Sequence, residues 1–202
     1  MKSIWLLTAT LAGGLALAGC NGNPGQSKAE TAATGDVVTA SSNPTVGGAE
    51  MLPSKTIIEN ASASPIHKTL VAALKQADLV ATLSGAGPFT VFAPTDEAFA
   101  QIPAVQRDGW MRAAQKPVLA GILKYHVVPG KLTAADLDAK IAEGKGQAVL
   151  ATTDGQDLIA TKSDGAILLT SASGNKALVT QADVLQSNGV IHVVDAVLLP
   201  RM

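Results

Sequence analysis

Cysteine and aromatic residues are nearly missing from this chain. Cys20 is the single thiol in 202 residues, so no disulfide can close within one molecule and no Cys-x-x-Cys or Cys/His metal pattern can exist. Aromatic residues make up 3% of the chain, which leaves almost no ring surface for stacking. Charge is scarce and balanced. Fifteen Lys and Arg stand against sixteen Asp and Glu, a formal net charge of −1, and no basic cluster is present to neutralise a run of phosphates. Nucleic acid is therefore a poor partner. Also missing are a Gly-x-Ser-x-Gly elbow, a His-Glu-x-x-His pair, a phosphate loop and a complete Gly-x-Gly-x-x-Gly fingerprint. What the chain does have is 47% hydrophobic residues, chiefly Ala, Val, Leu and Ile, and a length that suits one domain or at most two.

The first residues read MKSIWLLTATLAGGLALAGC. Lys2 gives a positive start, Ile4 to Leu17 an apolar stretch, and small residues precede Cys20, which is the pattern of a secretory signal. The stretch is short and broken by Gly13 and Gly14, whereas a membrane span needs about 20 consecutive apolar residues. Leu17-Ala18-Gly19-Cys20 resembles the bacterial lipobox, which makes residues 1–19 a lipoprotein signal and Cys20 the lipidated first residue of the mature chain. The lipid would attach the protein to the cell-envelope membrane. Asn21, in place of an aspartate, favours the outer membrane over the inner one, and the side of the membrane that the domain faces is left open. Residues 20–53 are rich in Gly, Ser, Ala, Thr, Asn and Pro with no apolar period, and are expected to be a flexible tether. Residues 54–202 are expected to form the folded domain.

Within it, Ser64-Pro65 predicts a helix start, followed by Ile66, Leu70, Ala73, Leu74, Ala77 and Ala81 at helical spacing. Phe89–Ala93 predicts a strand, and Thr95 caps a helical turn whose Asp96 and Glu97 complement the positive end of the dipole. A further helix begins near Pro117, with Leu119, Leu123 and His126 on its apolar stripe. Beyond it, turn signals such as Asp154-Gly155, Asp164-Gly165 and Asn188-Gly189 separate expected strands at 147–151, 157–161, 166–170, 177–181, 190–194 and 196–199. Helices first and strands second imply an α+β domain.

Three blocks then resemble the fasciclin, or FAS1, domain family. They are GPFTVFAPTDEAF at residues 87–99, Tyr125-His126-Val127-Val128, and DVLQSNGVIHVVD at residues 183–195. Their order and separation agree with the family, and the resemblance covers roughly residues 54–200. It implies a single α+β domain of two small β-sheets packed in a wedge with several flanking helices, no enzyme activity and no cofactor. It also implies roles in cell adhesion, matrix contact, or protein and polysaccharide binding. In some animal members the Tyr-His region and an Asp-Ile pair are linked to receptor binding. The matching positions here are Tyr125, His126, Asp183 and Val184, with valine in place of isoleucine.

The residues themselves carry a second reading. His126 on an apolar stripe suits a buried imidazole hydrogen-bonded within the fold, and His192 alternates with Val190 and Val194 on one strand. A metal site from His67, His126 and His192 lacks local ligand spacing. Asn188-Gly189 suggests a turn that uses glycine's positive φ. Three function classes stay open: a membrane-tethered adhesion or biofilm-attachment module, an accessory protein binding another envelope component, and a hydrolase whose Ser/His/Asp site is assembled only in three dimensions. The oligomeric state and the ligand are not readable.

Overall fold

A computed structural model of the chain describes residues 43–201. The expected signal segment, Cys20 and residues 21–42 of the expected tether lie outside the described residues. Residues 43–53, expected as the rest of that tether, are held on the domain: Val46 and Met51 are buried, and both amide atoms of the Asn43 side chain bond the backbone of Leu185. Side-chain amides, rather than an apolar period, fix this segment.

The helices are α1 (Ile57–Ala63), α2 (Lys68–Gln76), α3 (Val80–Leu83), α4 (Asp96–Ala100), α5 (Ala104–Trp110), α6 (Lys116–Tyr125) and α7 (Ala134–Glu143). Capping boxes start two of them, Thr56 with Glu59 for α1 and Thr133 with Asp136 for α7. Thr95 caps α4 as its sequence suggests, accepting from the Ala98 N–H at 3.2 Å. Ser64 does not start α2. It ends α1, and its hydroxyl meets His67 Nδ1 at 2.8 Å, so α2 begins three residues later than Ser64-Pro65 predicts. That helix also stops at Gln76 rather than running to Ala81, because Asp78 takes φ 55° and turns the chain into α3. Among the described residues no helix is long and apolar enough to cross a membrane.

The strands are β1 (Phe89–Pro94), β2 (Val127–Pro129), β3 (Gln147–Ala151), β4 (Asp157–Ser163), β5 (Ala166–Thr170), β6 (Lys176–Gln186) and β7 (Gly189–Val194). They are hydrogen-bonded in one continuous order, β2-β1-β7-β6-β5-β4-β3. The reason is β6. Its first half pairs with β5 (Leu168 with Leu178) and its second half with β7 (Val184 with Ile191), and register shifts between Val179 and Val184 bend it from one partner to the other. The free edges, β2 and β3, approach one another where the Thr153 N–H donates to Val127 O at 2.8 Å. The expected strand at 196–199 does not form. This apolar run finds no strand to pair with, and Leu198 N–H bonds His126 instead.

Two cores flank the central strands. Val91, Ala93, Ile191 and Val193 face α1, α2, α4 and α6 with Leu70, Leu74, Phe99 and Ile122. Phe92 and Val194 face the other way, toward Leu137 and Ile141 of α7 and the inner face of β3–β5. β1 and β7 run parallel and are buried on both sides, which explains why their sequences are apolar apart from the buried Thr90 and His192. Burying each such side chain contributes about 1.5–3 kcal/mol.

Candidate functional site

The positions that the family blocks point to can be followed one at a time. Tyr125 ends α6 with its ring wholly buried. Its hydroxyl donates to Asp157 O at 2.7 Å and accepts from the Ala172 N–H at 2.8 Å, tying α6 to β4 and to the turn after β5. Burial raises its pKa, which keeps the phenol protonated. His126, 2% exposed, donates from Nδ1 to Ile122 O at 2.8 Å and accepts at Nε2 from the Leu198 N–H at 3.0 Å. Burial lowers its pKa to about 4, so the imidazole is neutral.

Asp183 sits in the irregular stretch of β6 at φ 57°. Its carboxylate accepts from the Ala134 N–H at 2.7 Å, at the start of α7. Its own N–H donates to His192 Nδ1 at 3.3 Å, while His192 Nε2 donates to Leu132 O at 2.8 Å. His192 therefore holds the opposite tautomer to His126, and its ring stacks on Phe92 with centroids 5.6 Å apart. Burial lowers its pKa also. Val184 is fully buried in the first core.

Tyr125, His126 and Val184, expected as partner contacts, are buried in the folded domain, and Asp183 spends its carboxylate on α7. What these positions do is join helices to strands.

The glycines of the blocks act in the same way. Gly189 does not take a positive φ, contrary to the turn reading of Asn188-Gly189. A β-carbon there would lie 2.0 Å from Phe89 O, and one on Gly87 would lie 2.0 Å from Asn188 O. Both glycines are needed because two backbones cross in contact. Asn188 locks the crossing. Its Oδ1 accepts from the Ile57 N–H at 3.0 Å, and its Nδ2 donates to Leu83 O and Gly85 O.

The hydrolase reading has one serine–histidine contact to consider, Ser64 with His67. Both residues are about 2% exposed, so the serine is closed to substrate. His67 Nε2 lies against the Ala93 backbone without meeting hydrogen-bond geometry, and burial lowers the pKa of the ring. Among the described residues no group of three or more His, Cys, Asp or Glu is arranged to hold a metal ion. His126 and His192 already use both ring nitrogens within the fold.

The open surface lies elsewhere. β3 to β6 bury alternate residues, and register aligns the others on the outer face. Val149, Ile159, Thr170 and Lys176 form one row across the strands, and Gln147, Thr161, Leu168 and Leu178 form the next. Val149 is 61% exposed. This face is aliphatic and threonine-rich, with Lys176 at its margin. It offers apolar contact and hydroxyl hydrogen bonds but no acid–base pair. Sequence reasoning located the strands that build it and passed over the face, because the outward residues of a half-buried strand carry no motif.

Comparison with solved structures returns the same architecture. A FAS1 domain pair from the insect cell adhesion molecule Fasciclin I superposes with a TM-score of 0.62 at 21% identity, over 72% of this chain and 51% of that one, so the chain spans about half of the solved pair. The fold is that of a FAS1 domain. The fasciclin domain family model matches residues 65–200, and the chain belongs to that family. It is 43% identical to protein sll1483 of Synechocystis sp. over 172 residues, covering 85% of this chain and 88% of that protein. It is also 32% identical over 148 residues to the transforming growth factor-beta-induced protein ig-h3 of Sus scrofa, covering 73% of this chain and 20% of that protein.

Proposed function

We propose that the protein is an exported, lipid-anchored binding module whose single fasciclin domain mediates cell, matrix or biofilm attachment through protein contacts. One observation carries this reading. The recognisable polar residues are consumed inside the fold, and the outward face of β3–β6 is an aliphatic and threonine-rich surface with no catalytic group. The similarity to a domain pair from a cell adhesion molecule supports the same role. A protein ligand suits the face better than a polysaccharide. Phe92, Phe99, Trp110 and Tyr125 are buried and Phe89 is packed part-buried against the core, so among the described residues no ring lies open on this face to stack on a sugar. In this reading lipid on Cys20 holds the protein at the membrane, and residues 21–42 are the tether.

The test joins location to attachment. Intact and lysed cells are treated with protease and probed for the domain, with a Cys20→Ala variant beside them. Adhesion is then compared between the wild type and variants with Leu168→Asp or Ile159→Asp on the open face. Digestion in intact cells together with reduced attachment of the face variants is the expected result. Protection until lysis would place the ligand inside the envelope and sink the adhesive role. Unchanged attachment by correctly folded face variants would remove the face as the binding surface.

A further inference from the structure

The second half of β6 is a sheet edge. β5 pairs only with residues 176–178, so on the side of β6 away from β7 the backbone of residues 181–186 has no strand neighbour. Residues 43–52 cover that edge. Asn43 acts as a substitute strand residue: its Oδ1 accepts from the Leu185 N–H at 2.8 Å, and its Nδ2 donates to Leu185 O at 2.5 Å. Thr45 O accepts from the Gln181 side chain at 2.9 Å. Val46 then drops into an apolar recess that also includes Met51, Ala61, His67 and Val184. A tight turn through Gly47 and Gly48, at φ 59° and 82°, closes with paired Val46 and Ala49 backbones. This strap lies before residue 65, where the family match begins.

The hydrogen bonds to the β6 edge come from one amide side chain and one carbonyl, and buried Val46 and Met51 with the Leu52–Asn60 amide pair supply the rest of the hold. Terminal segments of this kind open at far lower free energy than core strands. Unpaired strand edges accept extended peptides through main-chain bonds, with alternate side chains set into pockets.

We propose that the outer edge of β6 and its apolar recess form a docking groove for an extended peptide segment of a partner protein, with the strap as a built-in competitor. The occupant is specified by the strap that now fills it: an Asn whose side-chain amide reaches the strand edge, then an aliphatic β-branched residue three positions on. A competitor of this sort reduces apparent affinity by the fraction of time the groove is open, so releasing the strap should strengthen peptide binding about tenfold or more.

Gly47 provides the release. A β-carbon there would lie 2.8–2.9 Å from the side chain of Ile66 at φ 59°, an angle that strains a β-branched residue, so Gly47→Val pries the strap away without touching the groove. Asn43→Ala is the milder companion and removes only the amide clasp. The experiment uses the chain from Cys20 onward carrying Cys20→Ala, and the probe is a synthetic peptide of residues 43–52. Amide exchange at Leu185 reports release of the strap, with the Ile191 amide as a folding control. Faster exchange at Leu185 alone, tenfold tighter peptide binding than wild type, and loss of binding when the peptide carries Asn43→Ala are the expected results. A released strap with no peptide binding overturns the groove. Continued protection of the Leu185 amide in both variants overturns the strap as its cover. Neither outcome depends on the adhesive reading.

Discussion

Acid should unfold this domain through His126, and the size of the effect follows from its burial. The ring is neutral in the fold, with its pKa lowered to about 4 from an ordinary 6.5. In the unfolded chain it protonates as pH falls through 6.5. The unfolded state then binds the extra proton, so stability is intact above 6.5 and is lost as pH drops from 6.5 toward 4. Each pH unit within that window costs about 1.4 kcal/mol, so His126 alone removes about 2 kcal/mol between pH 7.5 and pH 5. His67 and His192, also held neutral by burial, add in the same direction. The assay is urea unfolding at the two pH values for wild type and His126→Gln. The variant should be less stable at pH 7.5 by about 1–3 kcal/mol, because its amide replaces the bonds to Ile122 O and Leu198 N–H with poorer geometry. On moving to pH 5 it should lose about 2 kcal/mol less than wild type. Equal losses in both proteins, with unchanged denaturant slopes, would refute the assignment of this proton to His126.

Other outcomes follow from single contacts. Tyr125→Phe leaves Asp157 O and the part-buried Ala172 N–H without their shared hydroxyl and should cost about 1–2 kcal/mol in chemical denaturation. Gly189→Ala drives a methyl into Phe89 O and should cost about 3 kcal/mol or prevent folding, read as a thermal midpoint, whereas Gly174→Ala, in an open turn, should cost clearly less. Leu168→Asp, on the half-exposed outer row, should leave stability within about 1 kcal/mol while lowering attachment in the adhesion assay. Cys20→Ala should move the protein from the membrane fraction to the soluble fraction.

The hairpin half of the fold was legible because each strand pair is bounded by its own turn chemistry. Asp164 and Gly165, for example, take φ 51° and 84° between β4 and β5. The Thr-capped α4 and the proline-started α6 were legible for similarly local reasons. α1 and α5 escaped because each is only seven residues long, and α7 because its buried apolar stripe is only Leu137 and Ile141, although the boxes at Thr56 and Thr133 were readable starts. β2 escaped for another reason. Three residues carry no period, and β1 alone makes them a strand. The candidate site divides along the same line. The sequence blocks marked the right residues, but a motif records what the backbone needs where Gly87 and Gly189 cross, and it says nothing about Leu168 or Val149, which no internal contact constrains.

The clasp at Asn43 also has a mechanical consequence. A pull arriving from the chain upstream of Asn43 reaches its two amide bonds to Leu185 before it reaches any core strand. Both bonds join one side chain to one residue, so they load together and give way before buried Val46 and Met51 are drawn out. The domain can therefore yield at its margin under modest tension while β1 and β7 stay folded, and a molecule held at a surface would uncover a new strand edge when it is tugged.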